Sequence, residues 1–310
     1  MSAPSPGRLV ASSSTHRLAV ASVLTAACLW GLSGTIAQIL FQKLGVSPAW
    51  LVSVRMLASG VVLLLLLRPK IDLRRDLLPL AVFGILGLGL VQFTYFGAIA
   101  ASNVATATFL QYFSPALVVG WQLLARELRA TVRMIGGVAV AVIGTTLLAL
   151  SGAGADISGP ALVLGLGSAV AAAFYTIYPG RLMARIGSWP TTAYGFLLGG
   201  LAFSFVAPPW TAPHLRPFGW LLVASVVIGG TLIPFGLYLF GVSRMAATEA
   251  AVLATAEAAA AAVFGGLILG QVLSAQGYLG GGLVVVAVCV VSLSRLRPNP
   301  PSELPIRPET

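Results

Sequence analysis

Charge is what this sequence has least of. Only 8% of its 310 residues are Asp, Glu, Lys or Arg, while 58% are hydrophobic. A soluble domain carries roughly 25% charged residues, so too little polar surface exists here to coat a body in water. The mean hydropathy of +0.96 agrees, and it excludes a disordered chain. Cysteine is scarce as well: Cys28 and Cys289 fall in separate apolar runs and build neither a disulfide framework nor a zinc spacing. The two histidines, His16 and His214, lie in polar gaps, so no metal site or buried histidine relay is expected. The chain holds no His-Glu-x-x-His pair, no Gly-x-Ser-x-Gly elbow and no Gly-x-x-x-x-Gly-Lys phosphate loop. Zinc hydrolysis, a serine nucleophile and ATP hydrolysis therefore lack their residues, and no enzyme activity and no cofactor is expected.

Cations are in excess, with 18 Lys and Arg against 8 Asp and Glu. A nucleic-acid partner would need them along one polar face. They sit instead in short gaps between apolar runs, and no nucleic-acid binding is expected.

What the sequence has in abundance is long apolar runs. A hydrocarbon core about 30 Å thick takes roughly 20 residues of helix. Ten spans of that kind are read at 18–40, 48–67, 77–100, 104–125, 132–150, 157–180, 190–208, 218–241, 248–270 and 275–294. Runs such as Val61–Leu67 do not alternate, as strands of a membrane barrel would. The expected fold class is an all-α membrane protein with the lipid bilayer as its partner. Leu24 to Cys28 faintly resembles a lipoprotein cleavage box, but the apolar stretch continues to Leu40, so the first span is read as a retained helix.

Orientation follows from loop Lys and Arg. With the N-terminus inside, fifteen of the eighteen cations fall in cytoplasmic segments. These include Arg68, Lys70, Arg74 and Arg75 after the second span and Arg126, Arg129 and Arg133 after the fourth. Only Lys43 and Arg216 fall outside, and Arg55 lies within the second span. Both termini are expected in the cytoplasm, with tails at 1–17 and 295–310.

The two halves, 18–150 and 157–294, carry traces of a repeat. Phe96-Gly97 and Ala105-Thr106 resemble Phe240-Gly241 and Ala247-Thr248. Glu127 and Ile135-Gly136-Gly137 match Gln271 and Leu279-Gly280-Gly281 at an offset of 144. Five spans per copy is an odd number, so the copies must be inverted, an arrangement that places substrate near the midplane of carriers. The sequence resembles the drug/metabolite transporter superfamily in its EamA-type branch of ten-helix carriers. Trp30-Gly31, Arg55, the run from Ser114-Pro115 to Glu127, and its counterpart Ala254-Thr255-Ala256-Glu257 through Gly270-Gln271 carry the likeness. The family's usual Glu-Pro is Glu257-Ala258 here and its usual Gly-Glu is Gly270-Gln271. The resemblance implies a secondary transporter of small molecules. It also extends to amino-acid exporters of bacterial inner membranes, with drug or organic-cation export as the alternative. A membrane enzyme or a channel would be a different class.

A charge at bilayer depth costs roughly 2.5–3.5 kcal/mol to insert and is a functional candidate by default. Glu257 and Arg55 qualify. Glu257 lies near the midplane, where a carboxyl could bind an amine or exchange a proton, or simply pack between helices; transport coupled to protons is one expectation. Arg55 lies nearer the outer surface, too near to pair directly with Glu257, and either anchors carbonyls or snorkels outward. Substrate-binding candidates are Trp30, Ser33, Gln92, Tyr95, Gln111, Tyr112, Tyr175, Tyr238 and Glu257. Gly31, Gly34, Arg55 and Pro115 are structural or gating candidates, the glycine pair being placed to loosen the first helix. The small residues Ala258–Ala262 suit close packing of helix backbones. Such a pocket fits a small amphipathic solute, carried by a monomer or a homodimer.

Overall fold

The computed structural model describes residues 13–102, 104–125, 131–151, 158–270 and 274–293. Every regular element among them is helical. Helix α1 (Ser13–Gln42) runs unbroken for 30 residues, and α2 (Pro48–Leu67) starts on a proline, whose fixed φ and missing N–H suit a first turn. The third apolar run is α3 (Leu73–Val82), a π-helical stretch Phe83–Gly89, and α4 (Leu90–Ala101). The fourth is divided into α5 (Val104–Gln111) and α6 (Ser114–Leu124), with Pro115 in the first turn of α6. Then come α7 (Val132–Ser151), α8 (Gly159–Ile177), the short α9 (Gly180–Ile186) and α10 (Ser188–Ser204). The eighth run is α11 (Pro217–Val227), a second π-helical stretch Ile228–Leu232, and α12 (Ile233–Val242). The ninth is divided into α13 (Ala247–Ala254) and α14 (Ala256–Leu269), and α15 (Ala275–Leu293) is the last described helix.

Among the described residues, six apolar helices are long enough to cross a membrane: Ser14–Gln42, Pro48–Leu67, Arg74–Ala101, Gly159–Ile186, Pro217–Val242 and Ala247–Leu269. Their outward faces carry Leu65, Leu66, Val163 and Leu267, all exposed. Such an apolar surface needs a lipid neighbour. The core between the helices gathers Trp30, Met56, Phe83, Phe196, Phe235 and Tyr238.

Helix α1 packs along α12 and α14, α8 packs along α4 and α5, α2 lies against α10, and α7 against α15. Gly31 decides one of these approaches. A Cβ there would come within 2.7 Å of Ala261 N and 2.8 Å of Ala260 Cβ, so α1 reaches the α14 backbone only because Gly31 has none. The glycine pair thus corrects the expectation of a loosened helix: α1 is continuous, and Gly31 serves close contact.

Two further expectations are corrected. The first helix begins at Ser13 rather than 18, so His16 belongs to α1 and not to a polar gap. His16 Nε2 stands 3.2 Å from Oε1 of Glu249, buried at the start of α13. The fourth and ninth spans, read as single helices, are each broken, at Tyr112–Phe113 and at Thr255. At the second break, Ala258 N–H bonds Thr255 O at 3.0 Å, an i+3 closure that replaces the ordinary α-helical bond.

Polar ties join helices remote in sequence. Arg185, beyond α8, pairs with the buried Asp76 of α3. Trp50 of α2 donates its indole N–H to Pro209 O at 3.1 Å. Of the residues used to trace the repeat, Glu127 and Gln271 lie outside the described residues, as do several cations of the orientation argument, among them Arg126 and Arg129.

Candidate functional site

A narrow cavity of about 40 Å3 lies where α1, α2, α4, α5, α8, α12 and α14 converge. Trp30, Ser33 and Gly34 come from α1, Arg55 from α2, and Val91, Gln92, Tyr95 and Phe96 from α4. Gln111 closes the end of α5, Tyr175 stands on α8, Phe235 on α12 and Glu257 on α14. Of the sequence candidates, the structure brings Trp30, Ser33, Gly34, Arg55, Gln92, Tyr95, Gln111, Tyr175 and Glu257 into one lining. Tyr112 and Tyr238 stand behind it, Gly31 lies at the α1–α14 contact, and Pro115 opens α6.

Glu257 is 3% exposed and held by two phenols. Tyr95 donates its hydroxyl to Oε1 at 3.1 Å and Tyr112 donates to Oε2 at 2.7 Å. Thr108 Oγ1 lies 2.9 Å from the Tyr95 hydroxyl and completes that side. A carboxylate is acceptor-only, and each of its oxygens has a phenol within hydrogen-bond reach.

Arg55 is also 3% exposed and does not snorkel, so one of its two expected roles is corrected. Its Nε donates to Thr231 Oγ1 at 2.6 Å and its Nη2 to Gly230 O at 3.0 Å. Its guanidinium carbon lies 4.6 Å from the centroid of the Phe96 ring. The reason for its burial is the π-helical stretch Ile228–Leu232. There Thr231 Oγ1 reaches back five residues to Val226 O at 3.0 Å, and Gly230 turns its carbonyl to the guanidinium. Gly230 O is free to accept because its α-helical i+4 partner is Pro234, which has no N–H. In the first π stretch, Leu88 O accepts from the side-chain amide of Gln92 at 2.9 Å. Arg55 and Glu257 share the cavity, yet the close pairs of basic and acidic side chains among the described residues are His16–Glu249 and Arg185–Asp76. The cation and the carboxyl therefore present two separate poles.

Between those poles the walls are aromatic. Trp30 meets Phe235 edge-on at 4.9 Å between centroids and tilts against Tyr238 at 5.3 Å. Tyr175 lies 5.4 Å from Tyr238, whose hydroxyl is 2.9 Å from Thr176 Oγ1. Gln111 accepts from Ser168 at 2.6 Å. Two buried polar atoms in the lining have no hydrogen-bond partner: the Trp30 indole N–H and the Gln92 carbonyl oxygen. An unpaired buried polar group costs about 1–3 kcal/mol, so a ligand that satisfies both gains from them. Among the described residues, no group of three His, Cys, Asp or Glu could hold a metal ion.

Sequence reading missed Thr108, Gly230, Thr231, Phe96 and Phe235. The run Gly229-Gly230-Thr231 inside an apolar span was the available signal for a disturbed helix.

Comparison with known proteins places these features in a lineage. The EamA-like transporter family matches residues 17–150 and again 159–293. The inner membrane transporter YicL of Salmonella typhimurium, itself uncharacterised, is 35% identical over 293 residues, covering 91% of this chain and 97% of that protein. The aromatic amino acid exporter YddG of Ancylobacter novellus is 30% identical over 194 residues, 61% of this chain and 64% of that one. A solved crystal structure with 21% identity superposes with a TM-score of 0.72 over 93% of this chain and all of the other, a likeness of fold. Matched twice by the family over most of its length, the chain belongs to the EamA-like transporter family, and it is a transporter rather than an enzyme.

Proposed function

We propose that this protein is a multi-pass carrier of the bacterial inner membrane that exports small zwitterionic metabolites, amino acids with an apolar side chain foremost, by alternating access. One observation carries the reading. A single cavity holds a buried cation, Arg55, and a buried carboxyl, Glu257, within aromatic walls, together with an unpartnered donor on Trp30 and an unpartnered acceptor on Gln92. A substrate carboxylate suits Arg55 and the Trp30 N–H. A substrate ammonium suits Glu257 and the Gln92 oxygen, and the rings of Trp30, Tyr175 and Phe235 suit an apolar or aromatic side chain. The likeness to an aromatic amino acid exporter agrees with those walls, and the likeness to an inner membrane transporter agrees with the location.

The architecture of this reading is ten membrane helices in two inverted repeats, 18–150 and 157–294, with both termini in the cytoplasm. Its support is the recurrence of packing with the halves exchanged. Helix α1 of the first half lies along α12 and α14 of the second, as α8 of the second lies along α4 and α5 of the first. The interruptions recur too: π-helical at Phe83–Gly89 and Ile228–Leu232, broken at Tyr112–Phe113 and at Thr255. Each pair is spaced close to the offset of 144 that aligns the sequence copies. Interrupted helices at a repeat interface are where carriers place substrate.

Organic-cation export is the second reading, favoured by Glu257 and the aromatic walls taken without Arg55. Proteoliposomes loaded with aromatic amino acids, aliphatic amino acids or organic cations, each with and without a pH gradient, separate the two. Saturable efflux of zwitterions that is lost in Glu257→Gln supports the proposal. Efflux confined to cations overturns the substrate class, and wild-type efflux by Glu257→Gln from pH 6 to 8 overturns a role for the carboxyl's charge or proton.

A further inference from the structure

The hydroxyl of Tyr112 faces two acceptors at the same distance. Glu257 Oε2 is 2.7 Å away and so is Ala254 O. A phenol has one proton to donate, so it cannot serve both fully. The second acceptor sits at the break of the ninth span. Ala254 closes α13, and its natural i+4 donor, Ala258 N–H, has turned to Thr255 O instead. Tyr112 thus supplies the bond that the broken helix forfeits.

We infer that Tyr112 is a positioning residue that couples the protonation state of Glu257 to the break between α13 and α14. The inference rests on the transport reading of Glu257 above. In the proposed arrangement, Thr108 donates to Tyr95 and Tyr95 to Oε1, so a carboxyl proton takes Oε2. It then donates to the Tyr112 oxygen, Tyr112 donates to Ala254 O, and every group is satisfied. When Glu257 is ionised, the Tyr112 proton is drawn to the carboxylate, because hydrogen bonds to a charged acceptor are roughly twice as strong as neutral ones. Ala254 O is left without its donor inside the protein. No atom is gained or lost between the two arrangements except the one proton on Glu257. Filling the cavity with an ammonium group would favour the ionised arrangement, so substrate and proton would set the same backbone joint in opposite senses.

The groups around Glu257 leave this relay to Tyr112. Tyr95 faces it from α4, Arg55 from α2 and Tyr175 from α8, while α1 and α12 present Trp30, Ser33 and Phe235, none of which titrates. Among the described residues, only Tyr112 bonds both the carboxyl and the break.

Hydrogen exchange of the substrate-free protein in lipid nanodiscs, read by mass spectrometry over residues 254–262 and corrected for intrinsic rates between pH 5 and 9, tests it. Loss of one net hydrogen bond changes a local opening equilibrium by about two- to tenfold, so the wild type should show a transition of that size, faster when alkaline. Glu257→Gln, permanently neutral, should stay slow throughout. Tyr112→Phe should be fast throughout. Tyr95→Phe, which touches Glu257 but not the break, should keep the transition, as should Glu249→Gln, which removes the other buried carboxyl of this span. A transition that survives in Glu257→Gln overturns the inference, and so does one that survives in Tyr112→Phe or vanishes equally in Tyr95→Phe. If Tyr112→Phe does not fold, Glu257→Gln still decides. Because no substrate is present, the switch can stand while the transport reading fails, or fail while it stands.

Discussion

The contact at Gly31 makes a quantitative test of how the cavity is built. An added Cβ would lie 2.7 Å from Ala261 N, 2.8 Å from Ala260 Cβ and 2.9 Å from Glu257 O. Non-bonded carbon pairs rest at about 3.5–4.0 Å, so α1 and α14 must part by roughly 1 Å, and two of the three atoms are backbone with no rotamer to yield. Overpacking of this kind costs about 1–3 kcal/mol. Against it stands the better helix propensity of Ala, worth about 0.8–1 kcal/mol over Gly. Gly120 in α6 supplies the control, since a Cβ there would meet nothing within 4 Å. Propensity cancels between Gly31→Ala and Gly120→Ala and leaves the clash alone. Equilibrium unfolding in mixed micelles should place Gly31→Ala about 1–3 kcal/mol below Gly120→Ala. Because the displaced backbone carries Glu257, transport should fall in Gly31→Ala and hold in Gly120→Ala. Equal stability of the two variants, with transport intact in both, would refute the claim that α1 and α14 meet at Gly31.

Arg55→Met should abolish transport of zwitterions and cost about 1–3 kcal/mol, because it leaves Gly230 O unpaired in the core. Arg55→Lys should not restore transport, since a single ammonium lacks the fork that spans Gly230 and Thr231; wild-type rates in either variant would remove Arg55 from the site. Reporter fusions after Leu150 should read periplasmic and those after Arg185 cytoplasmic, and the opposite pair of signals would sink the proposed orientation.

The extent of each apolar run was legible because hydrophobicity acts locally and independently of partners. The expected spans 48–67 and 132–150 agree closely with Pro48–Leu67 and Val132–Ser151. His16 shows where this fails: a polar residue near a helix end was assigned to a gap, while the helix includes it and sets it beside Glu249, more than two hundred residues away. The breaks at Tyr112–Phe113 and Thr255 were illegible for a similar reason. Neither holds a glycine, and Pro115 lies just after the first, where it reads as the start of a turn of helix. At the second break, a tyrosine from another span donates to Ala254 O.

For the site, depth alone singled out Glu257 and Arg55, since a buried charge is costly wherever it lies and therefore conspicuous in any apolar run. Their neighbours were another matter. A polar side chain in a span can face lipid, a helix contact or a cavity, and the sequence weights these alike; Gln92, Tyr95 and Gln111 reach the cavity while Tyr238 stands behind its wall. From composition and family likeness alone came a helical membrane protein and a transporter, because burial in lipid constrains every residue of a span at once. Only the tertiary structure decided that Arg55 reaches the carbonyl of Gly230, and that the Tyr112 hydroxyl lies within 2.7 Å of both Glu257 and Ala254 O at the break in the ninth span. Both depend on distances of about 3 Å between residues more than a hundred positions apart, and no local preference of the chain encodes them.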